Sequence, residues 1–521
     1  MTQVRDVNGF ERSAAAAAEI LGKSASVLVI GHIDADGITA TSIAAMALDR
    51  KGIERSVRFV KKLDQAEIDL AAASPAERLW FVDLGSGALS RLDPMRCVVS
   101  DHHRIDPAVE APSWRGHVNP HLHGIDGSSE VSGAGVTYLV AKMMDAANAD
   151  LSPLAVVGAI GDLQDSAENR LSGYNRTILD DATSLDLVAA EKDVRLFGRQ
   201  TRPVHSLLQY SREPELLPFI AGGPRGEETD EESDDDKSAC IGFLEDLGIE
   251  PRQGDGFRTW SQLDREEKKR IVSALANRIV DSGKGLSLVR RLIGEVYTLS
   301  PNLPGAPPGW SDGVEAARSG DGNGNTWKPS GKALLDAKEF ATLLNACGRH
   351  DRPEVGMVVC MGDRGTALDT ALLQQDDHRR KLREAIELVR NDPAHRASTT
   401  TPGGYPLASV RYFHGGDRIE ETIVGIVAGI LLGSPEAPAD RPIIAFAQAG
   451  DGSCTLKVSG RGTRDMTRAG LDLSAAMRTA SEAVGGSGGG HNIAAGASVP
   501  EGKEEEFLRT IDRIIGSQIS P

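Results

Sequence analysis

SVLVIGHIDADGITATSI, residues 26–43, is the stretch on which the fold turns. Around Val27–Ile30 it is a short apolar run rich in β-branched residues, which predicts a strand buried on both faces. Directly after it stand His32, Asp34 and Asp36, three polar groups within five positions. Set against a core without partners, such groups are costly. Gly31 and Gly37 flank them and let the backbone turn tightly. The segment reads as a strand whose carboxyl end presents ligands.

Outward from it the pattern recurs. LWFVDLG (79–85) and CVVSDHH (97–103) read as further buried strands, ending in Asp83 and Asp101. GAGVTYLVAKMMDA (133–146) and LAVVGAIG (154–161) read as helices. This is the βαβ rhythm of a parallel sheet. Sites of open α/β sheets lie at the carboxyl ends of strands, so these polar groups should converge.

Residues 190–300 read as mostly helical, broken by EETDEESDDD (227–236), taken as a solvated loop and a candidate docking element for a partner. The Gly- and Pro-rich residues 300–331 read as a linker or long surface loop. A second α/β pattern starts near 335, with strands expected at VGMVVCMG (355–362), SVRYFHG (409–415), PIIAFAQAG (442–450) and CTLKVSGRG (454–462). The glycine run 485–490 precedes a further strand, and an amphipathic helix closes the pattern over 502–517. The expected organisation is a parallel-sheet catalytic domain at 1–200 and a helical connector at 201–334. A smaller α/β substrate-binding domain follows at 335–521, with the active-site cleft between the two α/β domains.

A net charge of −17 opposes a generally cationic nucleic-acid binder. A local basic strip with bound divalent ions can still reverse the sign within one cleft. Five scattered cysteines without a CxxC argue against a disulfide framework and against a cysteine zinc site. No run reaches the roughly 20 apolar residues that span a bilayer, and the first residues show no signal-peptide pattern. A cytoplasmic protein without membrane attachment is expected.

Four separated segments carry the chemistry: GHIDADG (His32, Asp34, Asp36), VDLG (Asp83), SDHH (Asp101, His102, His103) and GAIGDLQD (Asp162, Asp165). Alone, each is weak, because a strand-end aspartate often caps the next helix. Together, uncompensated carboxylates would repel one another strongly. Divalent cations resolve that repulsion. Oxygen-rich donors with one or two imidazoles suit manganese first and magnesium second. A two-ion site of this kind hydrolyses phosphoesters by in-line attack of hydroxide.

The order HxDxDG, D, DHH, GDxxD resembles the DHH phosphoesterase superfamily, and GGSGGGHNIAAGA resembles the glycine-rich histidine motif of its DHHA1 subgroup. The segments 118–140, 195–211 and 339–356 resemble the archaeal RecJ-like single-strand exonucleases. The resemblance implies that His32, Asp34 and Asp83 hold one metal. Asp36, Asp83, His102 and Asp162 would hold the other, with Asp83 bridging. It implies that His103 faces the scissile phosphate, and that Asp101 and Asp165 orient ligands.

Ser459, Arg461, Gly488, Gly489, Gly490 and His491 are the expected substrate contacts. Glycine amides, His491 and a bidentate arginine suit phosphate oxygens. Arg464 and Arg468 stand evenly between phosphate contact and exposed face. His117, His121 and His123 read as solvated loop histidines, with Asn119 ordering the catalytic loop. Arg195, Arg199 and Arg202 form either a basic face beside a channel or an ordinary solvated one. An aromatic content of 4% limits base stacking and favours backbone tracking.

The leading expectation is a metal-dependent exonuclease acting on single-stranded DNA, with RNA as an alternative, in replication or repair. A phosphodiesterase of short or cyclic oligonucleotides is the second reading. The third is a replication scaffold, because archaeal RecJ-like proteins are similar to eukaryotic Cdc45 and some associate with the GINS complex.

Overall fold

A computed structural model of the chain describes residues 5–519 except 107, 110–113, 212–213, 222–231, 284–285, 301–313, 316–327, 330–333, 435–436 and 451–453. It forms two compact units, Met1–Leu373 and Gln374–Pro521. The chain passes from one to the other inside the helix Thr366–Asn391.

In the first unit the strands β1 (Ser26–His32), β2 (Glu54–Val60), β3 (Arg78–Val82), β4 (Cys97–Ser100) and β5 (His117–Val118) form one sheet in the order β2-β1-β3-β4-β5. All four pairings are parallel. Val27 and Val29 of β1 join the core on one face, and Leu28 and Ile30 the core on the other. Helices α1 (Val7–Gly22), α2 (Ala35–Arg50), α4 (Gly133–Met144), α5 (Ser152–Gly161) and α6 (Tyr174–Ser184) pack into the first core, with Trp80, Val82 and Val98. The helix α3 (Gln65–Ala72) contributes Ile68 and Ala71 to the second. Each fully buried Val, Ile or Leu contributes about 1.5–3 kcal/mol, which is what holds the strand ends rigid.

Two sequence expectations change here. VGMVVCMG is the helix Pro353–Cys360, not a strand, and Val355, Met357, Val359 and Cys360 lie in the first unit's core. Proline at a first helical position favours the helix, and a short apolar run has no periodicity to separate the two. The helix Ala337–Arg349 likewise packs on α2 and α5. The second compact unit therefore begins at Gln374, not at 335.

The region expected to be a helical connector has its own core, built from Val194, Leu208, Phe243, Trp260 and Leu275 among others. An antiparallel pair, Val188–Val194 with Ile293–Leu299, closes it. The end of the acidic stretch is not a loop: it opens the helix Glu232–Asp246. Residues 227–231 lie outside the described residues. So does most of 300–331, of which Val314–Glu315 pairs antiparallel with Lys328–Pro329.

The second unit holds a mixed sheet in which the strand Arg411–His414 runs parallel to Ile443–Gln448. Thr455–Arg461, Ala494–Pro500 and Ser487–Gly490 follow antiparallel. The terminal helix Glu504–Ile519 buries Phe507, Leu508, Ile511 and Ile515, the amphipathic face expected. Among the described residues no helix is long and apolar enough to cross a membrane.

Candidate metal centre

The carboxyl ends of β1, β3 and β4 meet the first turn of α2 and the last of α5. His32 ends β1, and Asp34 caps α2, accepting Gly37 N at 2.9 Å. Asp36 lies in that helix's first turn, and Asp162 caps the end of α5. His32 Nδ1 is 2.9 Å from Asp34 Oδ2 and 3.8 Å from Asp83 Oδ2. His102 Nε2 is 3.2 Å from Asp83 Oδ1, 3.8 Å from Asp36 Oδ2 and 3.9 Å from Asp162 Oδ2. Two donor groups therefore share Asp83, one on each of its oxygens.

The backbone is shaped to allow this. Asp83 has φ of 59°, a left-handed conformation that aspartate tolerates better than most residues. Gly133 packs so closely that any Cβ there would strike the Asp83 carboxylate. Asp36 accepts the amides of Gly133 at 2.7 Å and Ala134 at 2.9 Å, at the start of α4, where the helix dipole favours an anion. His102 Nδ1 donates to Gly127 O at 2.6 Å, which leaves Nε2 facing the carboxylates. Asp101 accepts His103 Nδ1 at 2.8 Å, His103 N at 3.1 Å and Ser86 N at 2.8 Å.

The electrostatics of the cluster fit a site that could hold cations. Burial, then Asp36 and Asp34, pushes the Asp83 carboxyl well above the usual range. Burial likewise lifts Asp162 to about 6, with Asp36 and Asp34 adding to it and His102 opposing. At His102 burial opposes the charged ring, yet Asp83, Asp162 and Asp36 raise it well above an ordinary histidine. Burial also opposes ionised Asp34, but His32 keeps that carboxyl well below the usual range. Asp83 Oδ1, fully enclosed, accepts no well-aligned hydrogen bond despite His102 nearby. A lone pair aimed at an imidazole nitrogen among carboxylates suits a divalent ion, and the oxygen and nitrogen donors fit manganese or magnesium.

Several expected residues stand elsewhere. Asp165 pairs with Arg195 rather than with a ligand. Gln164 does the orienting instead: its Nε2 donates to Asp162 Oδ2 at 3.1 Å and Gly127 O at 2.9 Å, and Asn175 donates to its Oε1 at 2.7 Å. His117 is buried, not solvated; its Nε2 is 3.0 Å from Ser86 Oγ, and burial lowers its pKa to about 4. Asn119 orders the loop as expected, donating to Ser86 Oγ at 2.8 Å and His103 O at 2.9 Å. Arg199 forms neither a channel face nor a solvated one: it is buried on Asp336 and Asp193. Arg202 lies 4.9 Å over the Phe197 ring.

Sequence reasoning missed Asn345, whose Oδ1 accepts Ala35 N at 2.9 Å, and Arg349, whose charge lowers Asp34. Both lie in EFATLLNACGRHDRPEVG (339–356), a stretch read only for its resemblance.

In the second unit, Gly488–Gly490 form an edge strand, not a loop. A Cβ on Gly488 would approach Met477 O and Ser481 Oγ to 2.8 Å, so glycine lets strand and helix close up. His491 N donates to Ala494 O at 2.8 Å, and Ala494 pairs in register with Arg461. Ser459 and Arg461 lie together against Gly425, where a Cβ would reach Ser459 Oγ at 2.9 Å and Arg461 Nη2 at 2.6 Å. The expected substrate residues thus gather at one end of this sheet. Arg468 instead sits exposed on the helix Arg464–Arg468, paired with Asp465 at 2.9 Å.

Residues 26–161 match the DHH family N-terminal domain, 196–293 the DHH-CID domain and 408–517 the DHHA1 domain. An uncharacterized protein of Methanocaldococcus jannaschii is 28% identical over 511 residues, 96% of each chain. The single-stranded-DNA-specific exonuclease RecJ of Salmonella typhimurium is 29% identical over 184 residues, 34% of this chain and 29% of RecJ. Two solved structures share the fold. RecJ in complex with Mn2+ from Thermus thermophilus has a TM-score of 0.53 at 16% identity, over 99% of this chain and 56% of that one. Cdc45 from Entamoeba histolytica has a TM-score of 0.57 at 11% identity, over 98% and 97%. What the sequence presents as a helical connector is thus matched by the DHH-CID domain, and with DHH before it and DHHA1 after it the chain belongs to the DHH/DHHA1 superfamily.

Proposed function

We propose that the protein is a metal-dependent, single-strand-specific exonuclease that hydrolyses phosphodiester bonds of DNA, and of RNA as a second substrate, in replication or repair. The observation that carries this is the placing of Asp83, one oxygen toward His32 and the other 3.2 Å from His102 Nε2, which also stands beside Asp36 and Asp162. His32, Asp34 and Asp83 would hold one divalent ion, and Asp36, Asp83, His102 and Asp162 the other. Such ions, manganese before magnesium, lower the pKa of a water and neutralise phosphoryl charge. The chain's own groups do the rest. Gly127 fixes the His102 tautomer, and Asp101 holds His103 by Nδ1, so that His103 would face the scissile phosphate from a fixed ring. Ser459, Arg461, the Gly488–Gly490 strand and His491 would hold phosphates of the strand.

Fold likeness to Cdc45 along nearly the whole of both chains favours a second reading, a scaffold in a replication assembly. Against it stands the donor set, which a scaffold has no need to keep. The test is hydrolysis of single strands labelled at either end, as DNA and as RNA, with manganese or magnesium. Release of mononucleotides supports the exonuclease. Cleavage confined to dinucleotides points to the short-oligonucleotide phosphodiesterase, and no cleavage with intact strand binding points to the scaffold.

A further inference from the structure

Five non-glycine residues among those described have positive φ, and four of them are Asp or Asn, which tolerate that conformation. The fifth is Leu163, at φ of 58°. It follows Asp162 at the end of α5, where Leu163 N donates to Ile160 O at 3.1 Å and Gln164 N to Ala159 O at 3.0 Å. This is a Schellman closure, and its left-handed position normally takes glycine. Leu163 there is strained, and it gains little from burial: it is 64% exposed. Packing therefore does not explain the side chain.

Its surroundings do. Asp162 before it belongs to the donor group of Asp36 and His102. Gln164 after it is buried and tied to Gly127, Asp162 and Asn175. The leucine is held on both sides and stands in solvent beside the metal centre. A rigid apolar group loses little conformational freedom when a ligand covers it. Resting on the nuclease reading above, we propose that Leu163 is a substrate contact: it packs against the nucleobase flanking the scissile phosphate. An unpaired strand offers such a base face, whereas a duplex keeps it stacked.

The test compares wild type with Leu163→Asn and Leu163→Gly, both compatible with the left-handed backbone. Substrates are a single strand and the same strand with abasic residues at the two terminal positions of either end. We expect KM on the normal strand to rise about tenfold, a typical penalty for a lost apolar contact. On abasic strands the difference from wild type should vanish. Leu163→Gly should unfold at an equal or higher temperature, and manganese should stabilise all three proteins alike. A wild-type KM in both variants overturns the assignment. So does a penalty that persists on abasic strands, which would mean that Leu163 acts through loop geometry. A wild type that cleaves no strand overturns the nuclease reading, and this assignment with it.

Discussion

Asp83→Asn should make the metal-free protein more stable and inactive at once. Asparagine keeps the left-handed backbone at φ of 59° and nearly the same volume, so the change is one of charge. Carboxylate oxygens of Asp83 and Asp34 lie within 4.8 Å of each other. Two unit charges at that distance repel by about 3 kcal/mol at an effective dielectric of 20. The net effect is smaller, because the Asp83 charge also faces His102 at 3.2 Å and because burial favours its protonated form. A net gain of about 1–2 kcal/mol, or a few degrees in the melting temperature, is expected without metal. Manganese at about 100 times its Kd should add about 2.7 kcal/mol to wild type. It should add less than half of that to the variant, which lacks the shared ligand. The assay is thermal unfolding with chelator and then across a manganese series, with strand hydrolysis measured in parallel. A variant less stable than wild type in chelator, or one with wild-type manganese stabilisation and activity, refutes the shared-carboxylate reasoning.

His491→Ala should leave manganese stabilisation unchanged while slowing hydrolysis of long strands; equal loss of bound manganese would place His491 at the ions instead. Arg461→Ala, in the Asp83→Asn background that cannot cleave, should reduce the slope of log affinity against log salt by about 0.7, the value for one phosphate on a single strand. An unchanged slope with weaker binding would make Arg461 a support for the strand end. His117 has its pKa lowered from 6.5 to about 4 by burial, so between those values the unfolded chain binds the extra proton and stability rises with pH. That rise amounts to at most about 3 kcal/mol from pH 4 to 6.5. It should shrink in His117→Gln, as denaturant titrations at pH 4.5 and 6.5 would show.

β1, β3 and β4 were legible because burial on both faces leaves an unbroken apolar run, as at Val27–Ile30, and because each run ended in a group that apolar surface rejects; β2, which is largely unburied, left no such run. The convergence of His32, Asp83 and Asp101 followed from that rule, whereas the full set of expected ligands rested on the family resemblance. The same logic failed at 355–362, where Val355, Val359 and Cys360 face a core from a helix and the apolar run carries no period. The glycine run misled for a different reason. Its freedom serves a close approach to Met477 and Ser481, and sequence does not show which neighbour a missing side chain makes room for. Gln164, Asn345 and Arg349 were hidden because amide and guanidinium groups are common everywhere. Only tertiary placement separates the ones that orient a ligand from those that meet water.

The hydrogen bond from Ala35 N to Asn345 has a consequence for the order in which the site can be made. Every proposed metal ligand is in place on the chain by Asp162, but Asn345 and Arg349 arrive about 190 residues later, beyond the matched DHH-CID domain. At roughly 5–20 residues per second, a ribosome needs about 10–40 s to cover that interval. Throughout it the acidic pocket exists without Arg349 and with the start of α2 open at Ala35. A nascent chain stopped before residue 337 should therefore form the parallel sheet with Ala35 N still unpartnered by Asn345, and closing the start of α2 waits for the docking of one late helix.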